Sequence, residues 1–269
     1  MATFNNINFT SLVTFNGATV PAAPGATELV TWDPTPAGAA EGDYYQMSGT
    51  STVYRYDSTL GFLVRPEIYE FSGTKVLDET IAGTEDGAAL TSAGWTVSTE
   101  GNITTSGGWT IIDSTSAATS ASVQVGSTAN GMYFAGYLSH SAGPSSDYEG
   151  SNSISSGNGN FLYTFSSKKT TASTDPGFVK TSGANGGVKL EQVDDFNLTS
   201  TGGEWVEYYV ISGSTTTEQA FAWIGHSESP VRFCTGSLVD SGLNWVIGSC
   251  DASTGGKIYI KECYFARLV

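Results

Sequence analysis

Gly225-His226-Ser227-Glu228-Ser229 is the segment of this 269-residue chain that comes nearest to a catalytic signature. It follows an apolar run, as a nucleophile elbow of the Gly-x-Ser-x-Gly type does, and it sets a histidine beside a serine. The fifth position is Ser229 instead of glycine, and Pro230, Val231 and Phe233 open another extended run where an elbow needs a helix. The segment therefore reads as a polar turn closing a strand. The other histidine, His140, ends an apolar run beside a serine-rich loop, with no acid at a recognisable spacing, so no Ser-His-Asp relay is expected. A glycosidase needs only two carboxylates out of the 26 acidic residues. None is marked as a proton donor by its surroundings: Glu100, Asp113, Glu204 and Glu207 read as solvated groups at strand ends. The predicted catalytic set is empty.

Other cofactor chemistry finds equally little. No phosphate-cradling Gly-x4-Gly-Lys-Ser/Thr segment occurs, and the glycine clusters precede strands. Oxygen-rich loops at Asp194-Asp195 and from Asp147 to Asn152 could ligate a structural calcium ion, but no EF-hand spacing supports one. No cofactor is expected. Cys234, Cys250 and Cys263 cannot all pair within one chain. Cys234 and Cys250 flank a hairpin and are close enough in sequence to bridge, although buried free thiols are the expectation. No Cys/His zinc spacing is present.

The aromatic residues carry the stronger signal. In Trp205-Val-Glu-Tyr-Tyr-Val-Ile-Ser, alternation sends Trp205, Glu207, Tyr209 and Ile211 to one face and Val206, Tyr208, Val210 and Ser212 to the other. Phe221 and Trp223 share a face, as do Tyr133 and Tyr137. Aromatic faces on a sheet can stack on the C–H surface of sugar rings. Phe221, Trp205 and Phe134 read as core, and Tyr133, Tyr137, Tyr209 and Trp223 are the candidates for an exposed carbohydrate platform.

What must hold these residues in place is β-structure. Glu204–Ser212, Gln219–Ser227 and Lys257–Phe265 are strand-like runs joined by Gly/Ser/Thr turns. With 33 glycines and eight prolines, long helices are disfavoured. Charged residues make up 14% of the chain, and the net charge is −15. Nucleic acid and other dense polyanions are therefore not expected partners, since that affinity rests on cations. No run approaches the length of a membrane-spanning helix, so no membrane insertion is expected. The N-terminus, Met1 to Phe15, lacks a basic region followed by an apolar stretch, which predicts folding in the cytoplasm or a signal already removed.

Residues 1–75 read as an arm and a small β-meander, with strands around Glu28–Trp32, Asp43–Gly49, Ser51–Ser58 and Gly61–Phe71. A meander this small needs a neighbour to bury its face. Lys75–Ser92 reads as the opening strand of a second unit, residues 78–269, which alternates strands and turns at the spacing of a β-sandwich. The predicted fold is all-β: a meander followed by a jelly-roll sandwich.

Trp205, Tyr208 and Val210, then Phe221 to Ile224, then Gly256, Ile258, Ile260, Phe265 and Leu268, give residues 78–269 a resemblance to jelly-roll modules of the carbohydrate-binding type. Lys261 and Glu262 stand where such modules often place an acid, so the family's calcium site is not implied. Gly42-Asp43-Tyr44-Tyr45, Val53 to Asp57 and Leu60-Gly61 resemble the small β-meanders of tailed-phage virion proteins. Together the resemblances imply a non-enzymatic virion structural protein, such as a decoration, fibre or tail component. It would attach through its N-terminal part, with Tyr45, Tyr54, Tyr56, Phe62 and Ile68 as apolar anchors. Expected partners are other virion proteins, copies of itself (a trimer favoured) and a host-surface glycan. The virion is the expected location, and an extracellular one the alternative. The rival functions are a stand-alone carbohydrate-binding module and, third, a glycan depolymerase.

Overall fold

The computed structural model describes residues 25–126, 131–141, 148–156, 161–169, 178–180, 204–211, 218–228, 232–236, 243–247 and 257–269. The first described strands are β1 (Thr27–Leu29), β2 (Tyr44–Met47), β3 (Val53–Asp57) and β4 (Phe62–Val64), followed by a short helix, α1 (Pro66–Tyr69). Next come β5 (Lys75–Ile81), a second short helix α2 (Gly87–Ser92), β6 (Thr96–Val97), β7 (Ile103–Ser106), β8 (Trp109–Asp113) and β9 (Ala121–Gly126). The longer strands are β10 (Gly131–Ser141), β11 (Tyr148–Ser156) and β12 (Phe161–Lys169), then the short β13 (Phe178–Lys180). The remainder are β14 (Glu204–Ile211), β15 (Glu218–Ile224), β16 (Arg232–Gly236), β17 (Leu243–Ile247) and β18 (Lys257–Leu268).

The fold is an all-β sandwich. One large sheet runs β16-β15-β14-β10-β18-β8-β7, and β5 also pairs with β18. The second runs β13-β12-β11-β17-β9-β6, and the meander forms its own sheet, β1-β2-β3-β4. β18 is the spine of the large sheet. Along one side it pairs with β10. Along the other its first half pairs with β8 and its second half with β5.

Local chemistry explains the departures from the predicted elements. Gly61–Phe71 is not one strand: Pro66 stands at the first turn of α1, where its missing N–H is harmless, and ends β4. The stretch before Trp95 holds α2, whose start is fixed by Asp86 accepting from the Ala89 N–H at 2.8 Å. Glu28–Trp32 is strand only to Leu29, in a parallel pair with β2. The expected boundary falls at β5, which already belongs to the large sheet.

The meander docks face-down on the large sheet. Leu60, Phe62, Val64 and Ile68 share one buried cluster with Tyr133, Ala135, Trp205, Ala266 and Leu268 of β10, β14 and β18. Phe62 stacks on Tyr264 at 4.3 Å, 15° from parallel. Of the five proposed anchors, Tyr45, Tyr54, Phe62 and Ile68 are buried and Tyr56 is half-buried within the chain itself. The neighbour that a small meander requires is its own sandwich.

Candidate functional site

Among the described residues, the meander divides one face of the large sheet into a sealed half and an open half. The division falls at a β-bulge. On β18, Lys261 is opposite Tyr137 and Tyr264 is opposite Ala135, so Glu262 and Cys263 together face the single residue Gly136. Glu262 has φ of 54°, a left-handed conformation unusual for a side-chain-bearing residue. The extra residue resets the alternation. Lys257, Tyr259 and Lys261 before the bulge thus lie on the same face as Tyr264, Ala266 and Leu268 after it.

The sealed half centres on an ion pair. Arg65, at the end of β4, places Nε 2.6 Å from Glu207 Oε2 of β14, with side chains 2% and 0% exposed. Tyr133 donates its hydroxyl to Glu207 Oε1. Arg65 Nη1 donates to the Ser227 carbonyl at 2.9 Å and Nη2 to the Tyr54 hydroxyl at 3.3 Å. Tyr54 lies 2.9 Å from His226 Nδ1 and 3.4 Å from Glu207 Oε2. The Thr52 hydroxyl donates to the His226 carbonyl at 2.5 Å. Trp32 covers the imidazole at 4.4 Å between ring centres.

Burial sets the charge states here. Desolvation, reinforced by the Glu207 carboxylate, pushes the Tyr133 hydroxyl well above its usual range. Desolvation also pulls His226 down to about 3, and the Arg65 charge adds to it. A neutral imidazole accepts from Tyr54 at Nδ1, consistent with the shorter of the two Tyr54 distances. Burial alone would lower the Arg65 pKa, but Glu207, Tyr54 and Tyr133 outweigh it and the guanidinium stays charged.

The Gly225–Ser227 turn is thus more than a polar end to β15. Sequence reasoning missed that His226 reaches a buried carboxylate through Tyr54. The signal was present: Glu207, midway along an apolar strand, is out of place unless paired. Even so, Arg65, Glu207, Tyr54 and Tyr133 bond one another, each at most 2% exposed. The arrangement holds meander to sheet and leaves no room for a substrate at the carboxylate.

A pH dependence follows. The unfolded chain protonates His226 near 6.5, whereas the folded chain resists until about 3. The stability this imidazole contributes is complete above about pH 6.5 and is lost as pH falls toward 3. Denaturant midpoints measured from about pH 7 to pH 4 should fall more steeply for the natural chain than for His226→Gln, which does not titrate. Parallel slopes would remove His226 as the cause.

The open half is built by β7, β8 and the first part of β18. Ser106-Gly107-Gly108-Trp109 is a two-residue hairpin turn whose central glycines have φ of 60° and 78°, the positive values that a type I′ turn demands. Gly83 pins the hairpin from the side, because a Cβ there would collide with the Gly108 carbonyl and press on Lys261. Along β8 and β18, Thr110, Ile112, Ile258 and Ile260 are buried inward, while Trp109, Ile111, Asp113, Lys257, Tyr259 and Lys261 are half-buried on the outer face. Tyr259 meets Trp109 edge-on at 6.3 Å. The Lys261 ammonium lies 4.7 Å from the centre of the Trp109 ring. Lys257 pairs with Asp113 at 2.8 Å, at the strip's far end. Burial would raise the Asp113 pKa, but hydrogen bonds from Lys257 and Thr115 win and lower it.

The four proposed platform residues part company here. Tyr133 and Trp223 are buried, 0% and 3% exposed, and Tyr209 packs half-buried against the meander's cluster. Tyr133 packs in the cluster with the meander's Leu60, Phe62, Val64 and Ile68, and the Arg65 guanidinium lies 4.9 Å from the Trp223 ring centre, so neither presents an open face. The backbone of Tyr137 stands in register with Lys261, beside the open strip, and its side chain lies outside the described residues. Cys250 and the proposed calcium residues Asp147, Asp194 and Asp195 also lie outside them. Trp109 and Tyr259 were not singled out from sequence, since a Trp after Gly-Gly and a Tyr between two isoleucines both read as ordinary strand residues.

No protein-family model and no curated protein sequence matches the chain. Among solved structures, the CBM2 module of the evolved Dit of Lactobacillus casei BL23 phage J-1 aligns with a TM-score of 0.48 and 12% identity. That alignment covers 73% of this chain and 98% of the module. The Emp47p carbohydrate recognition domain aligns at 0.47 and 7% identity, over 65% of this chain and 89% of that domain. The alginate lyase AlgAT5, of polysaccharide lyase family 7, aligns at 0.42 and 11% identity, over 58% and 77%. At such identities and TM-scores, neither an activity nor a ligand follows from these likenesses.

Proposed function

We propose that this chain is a non-enzymatic glycan-binding β-sandwich, carried as a structural component of a tailed-phage particle and attached through its N-terminal part. The observation that supports glycan binding is the open strip. It presents an indole, a phenol, two ammonium groups and a carboxylate on a rigid two-stranded support, beside a half-sheet that is closed. Indole and phenol rings offer stacking surface, and the charged groups offer hydrogen bonds to hydroxyls. The sealed Arg65–Glu207 pair supports the non-enzymatic part, since its acid and its tyrosines are committed to packing. The virion setting rests on the meander's resemblance to virion β-meanders.

An array of bacterial surface polysaccharides probed with the pure, folded full chain tests the binding. Several polysaccharides should be retained, and prolonged incubation with them should release no new reducing ends. A blank array would sink the binding reading, and reducing ends would turn it into a depolymerase. Purified particles carrying the gene product, labelled with antibody to the sandwich, should show it in fixed copy number. Its absence from particles would favour the stand-alone module, and a trimeric mass in solution would fit a fibre or knob.

A further inference from the structure

Resting on the glycan-binding reading, we infer that the meander carries a second site, in which Arg55 takes the carboxylate of an acidic sugar and Tyr44 packs on its ring. The first observation is how Arg55 is held. It sits in the middle of β3, with Tyr44 of β2 and Val64 of β4 directly opposite it. Along that row Val64 is buried, Arg55 is half-buried and Tyr44 is 46% exposed, so the row leads from the docked edge of the meander to solvent. The guanidinium carbon lies 3.2 Å from the Tyr69 ring centre and 5.3 Å from that of Tyr44. Gly42, with φ of 91°, makes room on a further side: a Cβ there would lie 2.7 Å from Nη2 and 3.4 Å from Nε. These contacts fix the plane of the fork and supply no acceptor. Nε is shut off from water with no hydrogen-bond partner, and among the described residues neither Nη group makes a hydrogen bond or an ion pair. A ligand therefore meets the guanidinium end-on, through its two Nη groups, a geometry that matches a planar carboxylate.

The second observation is charge. Arg65, Lys75, Lys257 and Arg267 each meet a carboxylate at 2.5 to 2.8 Å. Arg55 does not, although the chain has 26 acidic residues and a net charge of −15. The acids on its own and the adjoining segments are committed to holding turns. Asp57 accepts from Lys75 at 2.5 Å and from the N–H groups of Thr59 and Leu60 at 3.0 and 3.1 Å. Asp43 accepts from the Ala40 N–H at 2.9 Å, and Glu41 from the Ser58 N–H and hydroxyl at 2.7 and 2.9 Å. An acid from outside completes the fork without breaking any of these bonds. The occupant is small. A stable protein interface buries roughly 800 Å² per partner, whereas the exposed large hydrophobics among the described residues are Val30, Tyr44 and Val269, too few for an interface core. A dense polyanion meets the repulsion of the whole acidic chain. A single acid in contact with Arg55 meets much less, since charges beyond about 8 Å are screened at physiological salt. One charge beside one part-exposed phenol ring thus fits one acidic sugar unit, its C–H surface on Tyr44 and its carboxylate on Arg55. Attachment to a particle must leave this row clear.

The test titrates the pure full chain with free glucuronate, galacturonate and N-acetylneuraminate, each beside its methyl ester, with binding read by NMR. Esterification removes the charge and keeps the ring. For the natural chain, one or more of the acids should bind at least about tenfold more tightly than its ester, the effect of losing one charge-assisted pair. Arg55→Met, which keeps an apolar stem on Tyr69, should bind acid and ester equally weakly. Arg55→Lys, which keeps the charge without the fork, should fall between, and Tyr44→Ala should weaken acid and ester alike. Melting curves check the fold of each variant, and if Arg55→Met does not fold, the ester comparison and Arg55→Lys decide. If no acid binds, or acid and ester bind equally, the carboxylate site is wrong, while the polysaccharide array still decides the glycan-binding reading. Acid selectivity that survives Arg55→Met would put the site elsewhere and overturn the inference. So would tighter binding of glucose 6-phosphate than of any of the three acids, which would make Arg55 a phosphate site.

Discussion

Glu207→Ala is expected to cost about 3–5 kcal/mol and to lower the melting temperature by on the order of 10 °C. The reason is what the substitution leaves behind. Arg65 is 2% exposed and makes its Nε contact with this carboxylate alone, so its charge would remain buried without a counter-ion. The Tyr133 hydroxyl would lose its acceptor, and Tyr54 the more distant of its two. Arg65→Ala should be as damaging, because it strands the carboxylate instead. The double change Arg65→Met with Glu207→Leu should recover much of the loss, since a buried pair replaced by apolar side chains of similar volume is often neutral. Thermal melts of the natural chain, Arg65→Met, Glu207→Leu and the double variant give the coupling directly. Additive losses in the double variant would show that the two groups do not act as a pair.

Deleting residues 1–73 should abolish soluble expression of the sandwich. The deletion strips the cover from Tyr133, Ala135, Trp205, Ala266 and Leu268, and half-uncovers Tyr209 and Tyr264. A contiguous apolar patch newly exposed in this way promotes aggregation. It also removes Arg65 and Tyr54, leaving the buried Glu207 without its counter-ion. Thr74 exchanges two backbone hydrogen bonds with Val269, at 2.6 and 2.8 Å, so the cut leaves β5 paired and costs it only the contacts of Lys75 with Asp57 and the Tyr69 carbonyl. A soluble, monomeric fragment 74–269 that unfolds cooperatively within about 1 kcal/mol of the full chain would mean that the meander is an accessory.

Alternation along Trp205–Ile211 correctly placed Trp205, Glu207 and Tyr209 on one face, because side-chain direction in a strand is a local property of the pleat. Whether that face meets water is not local. Val206 on the opposite face is equally buried, so β14 is covered from both sides, and the second cover comes from residues more than a hundred positions away. The same distance hid the ion pair. Arg65 reads as the residue before a proline and Glu207 as one acid among 26, until β4 is laid across β14.

By itself, then, the sequence determined the all-β class, the positions of most strands and the meander's need for a partner, since these follow from alternation, turn residues and short length. The signals for α1 and α2 were also local, in Pro66 and in Asp86. Only the tertiary structure decided which surface stays open. Tyr133 and Trp223 were closed off by the docked meander. Trp109, Tyr259 and Lys261 came together through the Gly107-Gly108 turn and the register of β8 on β18. The bulge at Glu262 then put them on the meander's side of the sheet. Proximity across strands depends on pairing between distant segments, and residue type does not encode it.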